Sequence, residues 1–512
     1  MKPLIRDPYA ISPWRRRNED PVTTVSVLAV LLVVCGWGSR ARADLPLDAV
    51  PPDAAAAYIY AGPTSSDASP PAGLSWSHLL RTMVDGASRT GMLSSLRPQA
   101  RGWMDALAGW SEATAYPHAL VLLDVQAAPR ADGGHRLDRM DLALVLRTDG
   151  RTADIEKRIQ HLLTTYTNTS QTRLKTVTRN GMLRYELRDR RLDEWSVICW
   201  GRVGRDYVIA FGEGAFARME RLLGDRESSL AAASWAAPAV AADAGSPLRL
   251  AMYLNLRRLK KSADAPFAAK VAQAADALGV GGAEQVLITV RRPGRAFSME
   301  AILVPATDAS SPRDGAAVRR LRLAGPVGPD DPLARFIPEG ATGYTVIEQD
   351  AAPLLSAVVG AYLSARSPKA RARLRAFWER VEAESGVHWE TDLLPHLRGP
   401  IIIHNDPPHL LRLPGAVSIL VPLAPGSGER VRTSLDRLFS FAQRHTEPDS
   451  WLRLARDADG VWFLSYGLSG PAVVVEGEWL VIAYSPAAAR VNRDRLRRVG
   501  GAARSVDRFP RP

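Results

Sequence analysis

The sequence predicts an α+β protein made of two related units of mixed or antiparallel sheet with packed helices, plus a smaller central α+β segment. Three observations predict it. The same run of elements occurs twice along 512 residues, a length that accommodates two or three domains. Each run reads as a strand, then helices, then antiparallel strands with one intervening helix, which is not the alternation of a parallel doubly wound sheet. Glycine-containing turn signals join the later strands as hairpins.

The first unit opens with Pro52-Asp53-Ala54-Ala55-Ala56-Ala57-Tyr58 and the second with Pro338-Glu339-Gly340-Ala341-Thr342-Gly343-Tyr344. A partial third copy starts at Pro247 and reaches Tyr253 with the same spacing. Each opening leads into a β-prone run, Tyr58–Tyr60, Tyr344–Ile347 or Met252–Leu254. Later, Ala143–Leu146 and a turn at Asp149-Gly150 lead into a helix with apolar Ile155, Ile159, Leu162 and Leu163; the counterpart is Ile419–Val421, Pro425-Gly426, then Val431, Leu435, Leu438 and Phe439. That spacing gives each helix one buried face. Hairpins follow at Asn180-Gly181 and Asp459-Gly460, pairs suited to a two-residue turn, and again near Gly204 and Gly477. The matched closing strands are Val208–Phe211 and Val481–Tyr484.

Residues 224–247 and 305–332, rich in Ala, Asp and Pro, read as exposed connections, and a hairpin around Arg292–Arg295 lies between them. The expected division is therefore a leader or anchor at 1–43, a first unit at 44–224, a linker and central partial unit at 225–310, and a second unit at 311–512. The tail Arg490–Pro512 carries many arginines and reads as a frayed basic end.

The leader has three parts. Lys2, Arg6 and Arg15-Arg16-Arg17 precede an apolar run, Val22–Gly38, and Ala41-Arg42-Ala43 supplies the small residues of a cleavage site. Cleavage before Asp44 would export the chain to the periplasm or cell envelope; retention of residues 22–38 would tether it to the membrane. Removing 1–43 takes away seven cations and three anions, so the net charge falls from +12 to +8. The chain from Asp44 onward keeps one cysteine, Cys199, so it has no intramolecular disulfide.

A hydrophobic content of 46% and a charged content of 23% exclude a mostly disordered chain. Of the 66 cations 59 are Arg, spread beside Asp and Glu along nearly every segment, which is not the one-sided basic face of a nucleic-acid binder. Zincin, nucleophile-elbow, phosphate-loop, dinucleotide and paired-cysteine motifs are absent. The densest set of candidate ligands is the stretch 388–409, with His388, Glu390, Asp392, His396, His404, Asp406 and His409. Neutral imidazoles and carboxylates suit zinc or a related ion, and His388, His404 and His409 are the candidate metal ligands. The segment Arg366–Ser385 combines five cations in its first half with an apolar stripe of Leu374, Phe377, Trp378 and Val381. Such a stripe is first a core-facing helix, and secondly a helix that lies on an anionic membrane surface.

The opening at 338–344, the run Glu384-Ser385-Gly386-Val387-His388-Trp389-Glu390-Thr391-Asp392-Leu393-Leu394-Pro395 and the closing Gly477–Ala483 resemble a family of exported bacterial proteins classed only as a domain of unknown function. The resemblance covers residues 50–497 loosely and implies export and repeat architecture, with no activity or site residue. The resulting expectation is an exported, noncatalytic envelope binding or scaffolding protein with no resident cofactor, whose partner is an envelope protein, anionic lipid or membrane surface. The rivals are a metal-dependent enzyme centred on 388–409 and a carrier of lipid or another hydrophobic ligand.

Overall fold

The computed structural model describes residues 46–61, 117–129, 135–148, 172–179, 182–190, 193–224, 229–236, 248–261, 280–291, 296–305, 318–348 without 329 and 342, 350–364, 368–405, 417–445, 453–465 and 470–501, with a few isolated positions between. The leader, the Asn180-Gly181 turn itself, Ile155, Ile159, Leu162 and Leu163, and His409 lie outside the described residues.

The fold is α+β with two antiparallel sheets. The first comprises β1 (Ala56–Tyr60), β2 (His118–Pro129), β3 (His135–Arg147), β4 (Thr172–Arg179), β5 (Met182–Asp189), β6 (Val197–Val203), β7 (Asp206–Phe211), β8 (Leu248–Asn255), β9 (Ala283–Arg291), β10 (Ser298–Pro305) and β11 (Arg319–Ala324). Its spatial order is β11-β10-β9-β8-β1-β2-β3-β7-β6-β5-β4. The second sheet comprises β12 (Tyr344–Ile347), β13 (Ile401–Asn405), β14 (Val417–Pro422), β15 (Arg453–Arg456), β16 (Trp462–Ser465), β17 (Ala472–Glu476) and β18 (Trp479–Ala483) in the order β12-β13-β14-β18-β17-β16-β15. From β1 to β4 the first sheet runs in the same relative order as the second.

The helices follow the same plan. After β7 comes α1 (Ala215–Gly224), which buries Ala215, Phe216, Met219, Leu222 and Leu223 on one face. A short α2 (Leu256–Lys261) follows β8. Between β12 and β13 stand α3 (Ala351–Ser364) and α4 (Pro368–Ser385); α5 (Gly428–Arg444) separates β14 from β15, and α6 (Pro486–Gly501) follows β18. Strand alternation gives the second sheet two filled faces. Ile402, Leu420, Val481 and Ala483 pack toward α6, with Ala488, Ala489 and Leu496. Ile401, Val421 and Leu480 pack on the opposite face with Val431 of α5, and Ile403, Ile419 and Leu435 border them. The expected apolar face of α5 is thus in place.

The tight turns use positive-φ glycines at Gly204 (φ 59°) and Gly477 (φ 55°), which close the two-residue hairpins β6–β7 and β17–β18. The Asp459-Gly460 turn differs from the two-residue form. Arg456 pairs with Trp462 and five residues intervene, because the Asp457 carboxylate accepts the amides of Asp459 (3.0 Å) and Val461 (2.9 Å) and holds a wider loop.

Four further features depart from the sequence expectation. Strands β8–β11 continue the first sheet through the β1–β8 pair, so the 310/311 boundary falls inside that sheet. Its edge strand β11 lies within the stretch read as a connection; Leu321 and Leu323 pack on one face while Arg320 and Arg322, which alternate with them, charge an edge. Ser229–Ala236 is packed on one side rather than exposed throughout: Leu230 and Ala236 are fully buried and the Leu230 amide donates to Val50 O at 2.6 Å, while Ala232 and Ser234 face solvent. Arg490–Gly501 is helix rather than frayed tail, because Asn492, Arg493 and Leu496 are buried against the sheet.

Hydrogen bonds connect the sheets. The Phe297 amide donates to Tyr344 O at 2.7 Å, Thr345 Oγ1 donates to Phe297 O at 2.8 Å, and Gly325 and Val346 exchange two bonds of 3.0 Å. At one end of β3, the buried Arg147 reaches Asp206 through Nε (3.2 Å) and Asp48 through Nη2 (2.5 Å).

Candidate functional site

The histidine-rich stretch divides between the two faces of the second sheet. His388 follows α4, beside buried Val387 on the α5 face; its side chain is 62% exposed and its Nδ1 lies 3.2 Å from Glu382 Oε2. Asp392 accepts the His388 amide at 2.8 Å and so serves as a turn cap. His404 points the other way. Alternation along β13 places it with Ile402 on the α6 face, where it is fully buried. The sheet stands between the two imidazoles, and the structure does not bring them together. Among the described residues no group of three His, Cys, Asp or Glu side chains is disposed around one point as metal ligands would be.

His404 belongs to a buried polar network. Asn492 of α6 donates through Nδ2 to Ser418 Oγ and to Ala488 O, both at 3.0 Å, which leaves its Oδ1 as the acceptor for Arg495 (2.9 Å) and for His404 Nε2 (3.1 Å). Nε2 therefore carries the ring proton. Burial, aided by the nearby Arg495 cation, pushes the His404 pKa down to about 4, while bonds to Asn405 and Asn492 oppose the shift. The imidazole is neutral at pH 7.

The second sheet also carries a cleft of about 380 Å³ between α5, α6 and β15–β17. Its charged walls are mutually paired. Arg456 meets Asp436 at 3.1 Å, Arg497 meets Glu476 at 2.9 Å, Arg493 meets Asp459 at 3.8 Å, and Arg432 bonds Glu429 at 2.8 Å and Val475 O at 3.3 Å. Trp462 Nε1 donates to Asp436 Oδ1 at 2.6 Å, and its ring lies under the Arg456 guanidinium at 5.4 Å. None of these residues was visible as a site in the sequence, because Asp436 and Trp462 meet only through tertiary packing.

Cys199 lies in β6 opposite Glu186 of β5 and is buried. Burial first, then Glu186, pushes its thiol up to about 11, against the pull of Arg184 and Arg188. At pH 8 the folded protein therefore holds about a hundredfold less thiolate than the unfolded chain, whose thiol has the ordinary value of 9.0. An aromatic disulfide reagent is expected to label Cys199 in the chain from Asp44 onward at least that much more slowly before urea than after; equal rates would place the thiol at an open surface.

The fourth feature is α4. The stripe expected to face the core does so at one end only: Val381 is buried, whereas Phe377 and Trp378 are 54% and 46% exposed. The cations Lys369, Arg371, Arg373 and Arg375 are exposed beside them.

Comparison with family models, curated proteins and solved structures gives no match to this chain. The resemblance to exported bacterial proteins rests on the residues quoted for it alone.

Proposed function

We propose that this chain is an exported, noncatalytic binding or scaffolding protein of the cell envelope, assembled from a duplicated unit and a truncated third copy. The observation that carries the reading is the internal use of its reactive side chains. His404 is held neutral by burial and hydrogen-bonded to Asn492, buried Asp206 is bound to Arg147, the Cys199 thiol is pushed up by burial, and the cleft's acids are bound to the cleft's own arginines. Groups used in this way build a rigid frame rather than turn over a substrate.

The shared strand order from β1 to β7 and from β12 to β18, each series followed by a helix over the sheet, supports the duplication. The series β8-β9-β10 begins a third copy in the order of β1-β2-β3. Export to the periplasm, with cleavage before Asp44 or tethering by residues 22–38, rests on the leader.

Native mass spectrometry of the chain purified from an envelope fraction without chelators tests this reading. The expected mass begins at Asp44 or includes the anchor, and carries no stoichiometric adduct. A metal held until His388, His404 and His409 are replaced by Ala would establish the metalloenzyme reading instead. Copurifying lipid in stoichiometric amount would establish the carrier.

A further inference from the structure

We propose that α3 and the first three turns of α4 dock the protein on an anionic phospholipid surface. This deepens the envelope reading and rests on it. Helix α3 has no charged residue from Ala351 to Ser364, and its start joins the core through Ala351, Leu354 and Leu355. Pro353, Ser356 and Val359 are exposed. An uncharged helix with an exposed apolar residue such as Val359 offers surface that lipid can cover.

Helix α4 supplies the second half of the argument. Leu374, Phe377, Trp378 and Val381 share one face, and the two exposed rings meet edge to face at 5.7 Å. Arg371 and Arg375 border this stripe on one side and Arg373 on the other, the arrangement of a helix seated at a headgroup boundary with cations reaching phosphates. Its acids are placed differently. Glu379, Glu382 and Glu384 occupy the inner half, where Glu382 bonds His388 and Glu384 bonds His445, just past α5, at 3.1 Å. The acidic end is thus tied to the body and the cationic, aromatic end projects from it. This polarity complements an anionic membrane, whose surface potential attracts clustered arginines, and Trp and Phe favour the interfacial depth.

The test uses the full chain as purified, with phosphatidylcholine vesicles and vesicles containing three parts in ten phosphatidylglycerol. The wild type is expected to bind the anionic vesicles at least tenfold more tightly than the neutral ones. The triple variant Arg371→Gln, Arg373→Gln, Arg375→Gln is expected to lose that preference, with an unchanged melting temperature. Lipids brominated on their upper acyl carbons should quench wild-type fluorescence more than that of Trp378→Phe. Equal binding by wild type and triple variant, or quenching unaffected by Trp378→Phe, would overturn the proposal. So would an arginine-dependent preference for soluble polyglutamate with no lipid quenching, which assigns an acidic protein instead. Cell fractionation separates the two readings: a chain that stays in the cytoplasm but passes the vesicle assay removes the envelope reading alone, and an exported chain that fails it removes the docking alone.

Discussion

Replacing Arg147 with Ala is expected to destabilise the protein by about 3–5 kcal/mol at pH 7, the cost of leaving a buried carboxylate without its partner. Arg147 is 6% exposed and Asp206 1% exposed. Arg147 also reaches Asp48, which Arg205 bonds from its other oxygen at 3.1 Å. Burial works against the Arg147 charge, but Asp48 and Asp206 more than offset it and hold its pKa above the ordinary value. Asp206 reports the other side of the balance: burial raises its pKa, and Arg147 counters only part of the rise. The double variant Arg147→Met, Asp206→Asn removes both charges and should lose clearly less than the single variant, as urea unfolding would show.

The pH dependence of the single variant has a definite sign. A carboxyl whose folded pKa is raised keeps its proton in the folded state, so its contribution is fully present below pH 3.8 and is lost as the pH rises through the folded value. Without Arg147 that loss grows. The deficit of Arg147→Ala relative to wild type should therefore widen between pH 4 and 7. A deficit under about 1 kcal/mol at pH 7 would show that water reaches Asp206 and that the pair behaves as a surface bridge.

The legible parts of the fold were those set by neighbours in sequence. Hairpins β6–β7 and β17–β18 announce themselves because Gly204 and Gly477 must adopt left-handed backbone between β-branched runs. The face of α5 follows from the spacing of Val431, Leu435 and Leu438. Features set by remote partners were hidden. The arginines of β11 mask a strand whose alternation becomes visible only beside β10, and the alanines of 229–236 suggest solvent although Leu230 and Ala236 are fully buried.

The candidate site was obscured for the same reason. Stripe periodicity shows that Leu374, Phe377, Trp378 and Val381 share a face of α4, but not whether protein covers that face. Only the burial of Val381 beside the exposure of Phe377 and Trp378 distinguishes a core helix from a projecting one. In the histidine-rich stretch, proximity along the chain counted in favour of a cluster. Strand alternation and the intervening sheet set the imidazoles of His388 and His404 apart, a separation that spacing alone does not reveal.

Lowering the pH from 7 to 4 is expected to remove about 3 kcal/mol of stability through His404 alone. Its pKa falls from 6.5 in the unfolded chain to about 4 in the folded one, chiefly because the ring is fully buried and next because Arg495 stands nearby. A base with a depressed folded pKa binds its proton more readily in the unfolded chain. Its stabilisation is therefore complete above pH 6.5, declines as the pH falls, and stops declining below about 4. Two other groups of this region respond to acid: His396, whose pKa burial and then Arg430 lower, loses stabilisation in the same window, whereas Asp457, whose pKa burial would raise, is held below 3.8 by the Val461 amide and Arg490, so its stabilisation is lost only at lower pH. Urea unfolding at pH 7, 5.5, 4.5 and 3 on wild type and His404→Gln separates His404 from these groups. Gln keeps an amide donor for Asn492 Oδ1 but does not titrate, so the variant should lack the His404 part of the decline between pH 6.5 and 4 while retaining the part due to His396 and any loss at lower pH. An identical decline in the variant would mean that the α6 face admits water and a proton to His404 in the folded protein, and that the Asn492 network closes the sheet less tightly than its geometry requires.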